Sequence, residues 1–281
     1  MRFFQRWLWL VVLGGAIVSM DLPARALAAW GYTPTNAFPS LIFSNPVCIT
    51  TPPGETNRLF IAEKHGRIIV ITNLMAPTRT IFMDISSRVS VVNSSESADL
   101  NSEEGMLSMT FDPGYATNRY FYVFYLGQAT NGTSGLHDIL SRFQTLSGNI
   151  NQGDTTSETK LIVQYDRANN HNAGDTHFGP DGYLYVSVGD EGNEHNTFDN
   201  AQHIDENFFS GILRIDVHNQ PGSLTPKPNA ESASTTNYSI PSDNPFVGAT
   251  TFDNLPVNTS QLRTNFGPSA SAIPGDIHLI R

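Results

Sequence analysis

The chain has 281 residues, 39% of them hydrophobic and 10% aromatic, so it can bury a sizeable core and is not a disordered polymer. A net charge of −10 leaves no basic stripe to neutralise phosphates, which excludes a nucleic-acid-binding role. The one cysteine, Cys48, excludes an internal disulfide framework and a cysteine-based zinc cluster, while 22 glycines and 17 prolines suit a turn-rich β protein better than a helical bundle.

Arg2 and Arg6 precede an apolar run of thirteen residues, Leu8–Met20, and small residues follow at Ala24, Ala26 and Ala28. This order predicts a secretory signal peptide over residues 1–28 and an exported product, periplasmic or extracellular. The run is shorter than the ~20 residues a spanning helix needs. No later segment is long and apolar enough, so no membrane span is expected after cleavage. Removing the peptide takes the net charge from −10 to −12.

Strand-like runs then recur. Arg58–Ala62, Arg119–Tyr125 and Tyr183–Val188 follow Asn57, Asn118 and Asp181-Gly182, with Asn57, Asn118 and Asp181 offset by 61 and 63 residues. Each run has a second strand behind it, at Gly66–Ile71, Ile139–Phe143 and Gly211–Asp216. Turn chemistry punctuates them at Asp112-Pro113-Gly114, Ser147-Gly148-Asn149 and Gly179-Pro180-Asp181-Gly182. No apolar period of 3.6 residues persists beyond a turn or two. A repeat of paired strands near sixty residues predicts an all-β fold of propeller blades, about four in the chain left after cleavage. An irregular β-sandwich is the alternative.

The stretch 169–192 is the densest in chemistry. His171 lies just before a tight-turn region, and Asp190 just after the strand that follows it. Strand ends and loops of a propeller line one face around the axis, so the two can meet there. A neutral imidazole accepts a proton from an alcohol, and a carboxylate on its other nitrogen fixes the tautomer. By itself His171 is also readable as one loop histidine among eight. Glu103-Glu104 is readable as a cation or sugar-hydroxyl site or as a solvated turn. Asp190-Glu191-Gly192-Asn193-Glu194 offers oxygens for calcium without the spacing of an EF-hand, and is otherwise an acidic surface loop. The motifs of nicotinamide, nucleotide, serine-hydrolase and zincin sites are absent from the sequence.

Taken in order, several segments resemble the soluble quinoprotein glucose/sorbosone dehydrogenases. They are Thr50–Phe60, Glu103–Leu107 with Phe111-Asp112-Pro113, Ser141-Arg142-Phe143, His171-Asn172-Ala173-Gly174 running into Phe178–Tyr185, Gly189-Asp190, Gly211–Asp216 and Ile240–Phe246. The resemblance implies a six-bladed β-propeller, here incomplete. It also implies PQQ at the mouth of the central channel, held by Ca2+ and basic side chains, and oxidation of an aldose at C1 to a lactone with delivery of electrons to an acceptor. It places the catalytic base at His171, its carboxylate partner at Asp190, and substrate- or cofactor-side polar groups at Glu103 and Asn170. The metal ligands it leaves unknown. Glu103 stands where some members have Gln, Asn170 where some have Asp, and Met106-Leu107-Ser108 where Leu-Leu-Gly is usual.

Family members continue with Gly-Leu-Arg-Asn-Pro and further blades, whereas Gly267–Arg281 matches nothing in them. Back-translated and shifted by one base from Phe266, that tail spells WAFGLRNPWRYSFDP. The expected organisation is a signal peptide at 1–28, an incomplete propeller at 29–266 and an out-of-frame tail at 267–281. Such a chain is expected to bind PQQ poorly and to have little or no activity. Two other readings stand beside the dehydrogenase: a non-enzymatic extracellular propeller that binds a protein or glycan, and a calcium-dependent lactonase-type propeller.

Overall fold

A computed structural model describes residues 33–90, 103–129, 133–201, 203–227 and 237–267. The expected signal peptide and residues 268–281 of the expected tail lie outside them. The chain divides into two compact units, Met1–Pro39 and Ser40–Arg281. In the first, the described residues 33–39 contain no strand or helix. The second carries the sheets.

Strands β1 (Pro46–Thr50), β2 (Leu59–Glu63), β3 (Arg67–Ile71) and β4 (Arg79–Asp84) form an antiparallel sheet in that order. Strands β5 (Met106–Phe111), β6 (Tyr120–Ala129), β7 (Gly135–Thr145) and β8 (Gly153–Tyr165) form a second, with a single helical turn, α1 (Tyr115–Asn118), between β5 and β6. Strands β9 (Ala173–Phe178), β10 (Leu184–Val188) and β11 (Gly211–Ile215) form a third. Its outer edge is the 265–267 stretch: Arg214 N–H donates to Asn265 O at 2.7 Å and Gly267 N–H to Ile212 O at 2.8 Å. A two-stranded ribbon, β12 (Thr251–Phe252) with β13 (Leu255–Pro256), is the fourth sheet. The paired runs expected from the sequence are β2–β3, β6–β7 and β10–β11. Among the described residues no pairing joins the third sheet back to the first, so the array is an incomplete propeller.

The near-continuous apolar run of β6 follows from burial on both faces. Phe121, Val123 and Tyr125 enter a core shared with the first sheet, beside Phe60, Phe82 and Phe111. Tyr122, Phe124 and Leu126 point the other way, into a core shared with the third sheet, beside Leu184, Val186, Leu213 and Phe266. Successive side chains of a strand alternate faces, so only a run apolar at every position satisfies both cores. Each such side chain contributes about 1.5–3 kcal/mol on burial, and the two cores together fix the second sheet between its neighbours.

The turn between β2 and β3 needs a glycine. Gly66 has φ +97°, and a Cβ there would stand 2.8 Å from Val89 Cγ2 and 2.9 Å from Ser86 Cα. A polar contact ties the second and third sheets from outside: His218 Nε2 lies 2.8 Å from Asp112 Oδ2, and Tyr122 Oη–H donates to the same oxygen at 3.0 Å. Among the described residues, no helix is long and apolar enough to cross a membrane.

Candidate active site

Two loops at one end of the third sheet build the site. One, 166–172, leads into β9; the other, 189–194, leaves β10. The sheet register sets them side by side, because Val188 pairs with Ala173 across the antiparallel ladder after a bulge. Gly189 N–H reaches Asn172 O at 3.4 Å. The approach is so close that a Cβ on Gly189 would overlap the His171 carbonyl oxygen.

Unusual backbone concentrates here. His171 (φ +61°), Ala173 (+55°) and Gly174 (+86°) are left-handed in one loop, and Glu191 (+74°), Gly192 (+97°) and Asn193 (+63°) in the other. Non-glycine residues in this region cost about 1–2 kcal/mol each, and persist where surrounding contacts over-determine them. Such contacts are present. Ser108 Oγ–H on β5 donates to Gly174 O at 2.6 Å, with Thr176 Oγ1 2.9 Å away. The Phe124 ring lies against Gly174, where an added Cβ would come within 2.5 Å of Cδ1.

The structure brings together His171, Asp190 and Glu103. His171 Nδ1 lies 2.9 Å from Asp190 Oδ1. A carboxylate in its ionised form only accepts, so this contact favours the tautomer with the proton on Nδ1, which leaves the Nε2 lone pair for a substrate. The His171 side chain is 43% exposed and that of Asp190 15%, so the imidazole is reachable while its partner is shielded. The carboxylate of Glu103 accepts the backbone N–H of His171, across 68 residues of sequence. Asp190 Oδ1 is held in turn by Gly192 N–H at 3.1 Å. Asn170 stands apart from the pair: its Oδ1 accepts Asn193 N–H at 3.1 Å and so staples the two loops.

Two sequence expectations need correction. Glu191 lies neither on an acidic surface loop nor free for calcium. It is 1% exposed and its carboxylate is taken up by Arg167 and Asn200. Glu104, 7% exposed, is not in a solvated turn. Among the described residues no group of three or more His, Cys, Asp or Glu side chains is placed to hold a metal ion.

The sequence reading missed the carboxylates behind the pair. Asp138 on β7 is 1% exposed, and among the described residues neither of its oxygens has a hydrogen-bond partner. Burial, with Asp166 and Glu191 nearby, pushes its carboxyl well above the usual range. Burial likewise raises Asp166 to about 8, against an opposing bond from Ala168 N–H; Glu191 adds to the rise and Arg167 opposes it. Arg167, Asn200 and Asn207 were missed as well. No local pattern marks them, since Arg167 meets Glu191 over a gap of 24 residues.

The sequence model of the family described as "Glucose / Sorbosone dehydrogenase" matches residues 43–255. Hedgehog-interacting protein of Mus musculus is 28% identical over 210 residues, covering 73% of this chain and 27% of that protein. A solved oxidoreductase (glucose dehydrogenase) from Thermus thermophilus superposes with a TM-score of 0.51 at 20% identity, over 80% of this chain and 51% of that one. A PQQ-bound aldose sugar dehydrogenase from Streptomyces coelicolor gives 0.48 at 18% identity, over 64% of this chain and 48% of that one. The chain thus spans about a quarter of the curated relative and half of the solved structures.

Proposed function

Because the chain belongs to the glucose/sorbosone dehydrogenase family, we propose that it carries the proton-accepting half of an exported, PQQ-dependent aldose dehydrogenase site. The observation behind this is the His171–Asp190 contact through Nδ1, in a side chain that is 43% exposed. In this reading His171 Nε2 takes the proton of the C1 hydroxyl, Asp190 holds the imidazole in the required tautomer and stabilises the imidazolium that forms, and Glu103 fixes the His171 backbone. The Glu103 carboxylate also presents an acceptor to a sugar hydroxyl.

The hydride acceptor of the family's dehydrogenases is PQQ, a tricarboxylate, and the described residues do not fit it as they stand. The side chain bonded to the His171 backbone is a carboxylate, Glu103, and the cation of the two loops, Arg167, is committed to Glu191. Bringing three more negative charges here without cationic partners is costly. The reading therefore assigns the chain the base and not the cofactor cradle, and little turnover.

A second reading, a propeller whose loop face binds a protein or glycan, draws support from the relative named for a protein interaction. A dye-reduction assay of the purified chain with PQQ, Ca2+ and a panel of aldoses separates the two. Weak sugar-dependent reduction that disappears in His171→Ala supports the first. Reduction undiminished by His171→Ala refutes the base. Retained binding of a glycan or protein with no turnover of any aldose refutes the dehydrogenase reading in favour of the second.

A further inference from the structure

Glu191 follows Asp190 in sequence, yet its carboxylate turns inward and meets the opposite loop. Oε1 accepts both the backbone N–H of Arg167, at 3.0 Å, and its Nε–H, at 2.5 Å. Oε2 accepts from Arg167 Nη2 and from Asn200 Nδ2, the latter at 2.7 Å. Asn200 Nδ2 donates as well to the Asp190 carbonyl at 3.0 Å, and Asn200 Oδ1 accepts from Asn207 Nδ2 at 2.6 Å. Asn207 Oδ1 in turn accepts Phe209 N–H at 3.0 Å, which anchors the chain of bonds ahead of β11. The Arg167 guanidinium lies 4.1 Å over the Phe198 ring. Charge-assisted, two-pronged contacts of this kind restrict geometry more than single neutral bonds do.

We propose that Glu191 is the positioning residue of the site: its buried carboxylate clamps the loop that delivers His171 to the loop that delivers Asp190, and so holds imidazole and carboxylate in contact. Arg167 lies four residues before His171, and Glu191 one after Asp190. The left-handed backbone at Glu191 is part of the device, since it turns this side chain inward while Asp190 faces the imidazole. The bonds of the Glu191 carboxylate go to Arg167 and Asn200 and not to His171. Its effect passes through Asp190. The proposal rests on reading His171–Asp190 as the working pair, and is tested without turnover.

The experiment is 15N NMR of the histidine rings in the full chain, with His171 assigned by loss of its signals in His171→Gln. The readout is the ratio of Nδ1–H to Nε2–H tautomers. Wild type is expected in the Nδ1–H form. Glu191→Ala, still folded by circular dichroism, is expected to lower that ratio by about tenfold, the scale of one hydrogen bond to a charged group. Glu191→Gln keeps the shape and part of the bonding, and is expected to lower it severalfold, which serves if the alanine variant does not fold. Glu194→Ala, in the same loop but 90% exposed, is expected to leave it unchanged. A wild-type ratio retained in folded Glu191 variants overturns the proposal, because a purely structural role lowers stability without moving the tautomer. Absence of the Nδ1–H form in wild type overturns the pair itself, and with it the functional reading.

Discussion

Replacing Gly189 by alanine probes the closest approach in the site. An ideal Cβ there stands 1.4 Å from the His171 carbonyl oxygen and 2.5 Å from its carbonyl carbon. Both are backbone atoms, held by the β9–β10 register, so neither can swing aside as a flexible side chain would. The chain must separate by more than an ångström at the point where His171 is delivered to Asp190. Overpacking in a well-fitted core costs about 1–3 kcal/mol, and a backbone clash of this depth belongs at or above the top of that range. With a urea dependence of about 1–3 kcal/mol per molar, a loss of about 3 kcal/mol lowers the midpoint by about 1–3 M. Gly148 supplies the control. It has φ +82° with nothing within 4 Å of an added Cβ, so Gly148→Ala bears only the left-handed penalty of about 1–2 kcal/mol. Urea unfolding of the two variants, followed by far-ultraviolet circular dichroism, gives the comparison. Equal losses would refute the argument that contact between the two loops, rather than glycine content, fixes the site.

Two further predictions concern buried charge. His218 has a raised pKa, chiefly through its bond to Asp112, with Asp216 adding and Arg142 opposing, while Phe178 stacks on its ring. Asp112 is lowered: burial acts upward, but bonds from His218, Asn118 and Gly114 outweigh it. The His218 contribution is therefore full below its unfolded value and fades as pH rises through its folded one, and that of Asp112 fades as pH falls through its own folded value. Stability of wild type relative to His218→Gln is expected to decline as pH rises above the unfolded imidazole value of about 6.5; parallel curves would count against an ionic clamp between the second and third sheets. Asp138, raised by burial, works in the opposite sense to a paired carboxylate: its folded form keeps a proton that the unfolded chain releases, so its contribution falls as pH rises above the unfolded value. Asp138→Asn is expected to be more stable than wild type at neutral pH, with the gain shrinking toward pH 4; a thermal melt series showing no gain, or a gain independent of pH, contradicts this.

Much of the architecture was legible because core-forming strands advertise themselves. The runs that became β2, β3, β6, β10 and β11 are apolar at most positions, since both faces of a packed sheet are covered. The flanking strands do not read this way. β9 (AGDTHF) and the first half of β8 (GDTTSE) are polar, and β1 contains Pro46; these become strands through the hydrogen bonds of the neighbour already in place. The 265–267 stretch is an edge of the third sheet for the same reason.

The site divides along the same line. His171, Asp190, Glu103 and Asn170 could be named from ordered motifs, and the strand between His171 and Asp190 suggested how the first two meet. What holds them could not be named. Glu191 reads in sequence as one acid among several in a polar loop, and only the pairing of β9 with β10 sets it against Arg167 and buries it. Asp138 reads as a polar interruption in β7, and its raised pKa comes from its burial in the packed chain, with Asp166 and Glu191 adding to it. Sequence by itself determined which segments could bury apolar surface and which residue types could move a proton, because both are properties of side chains in local order. Tertiary structure decided which charges lost their water and which loops met, because desolvation and long-range contact are properties of the packed chain.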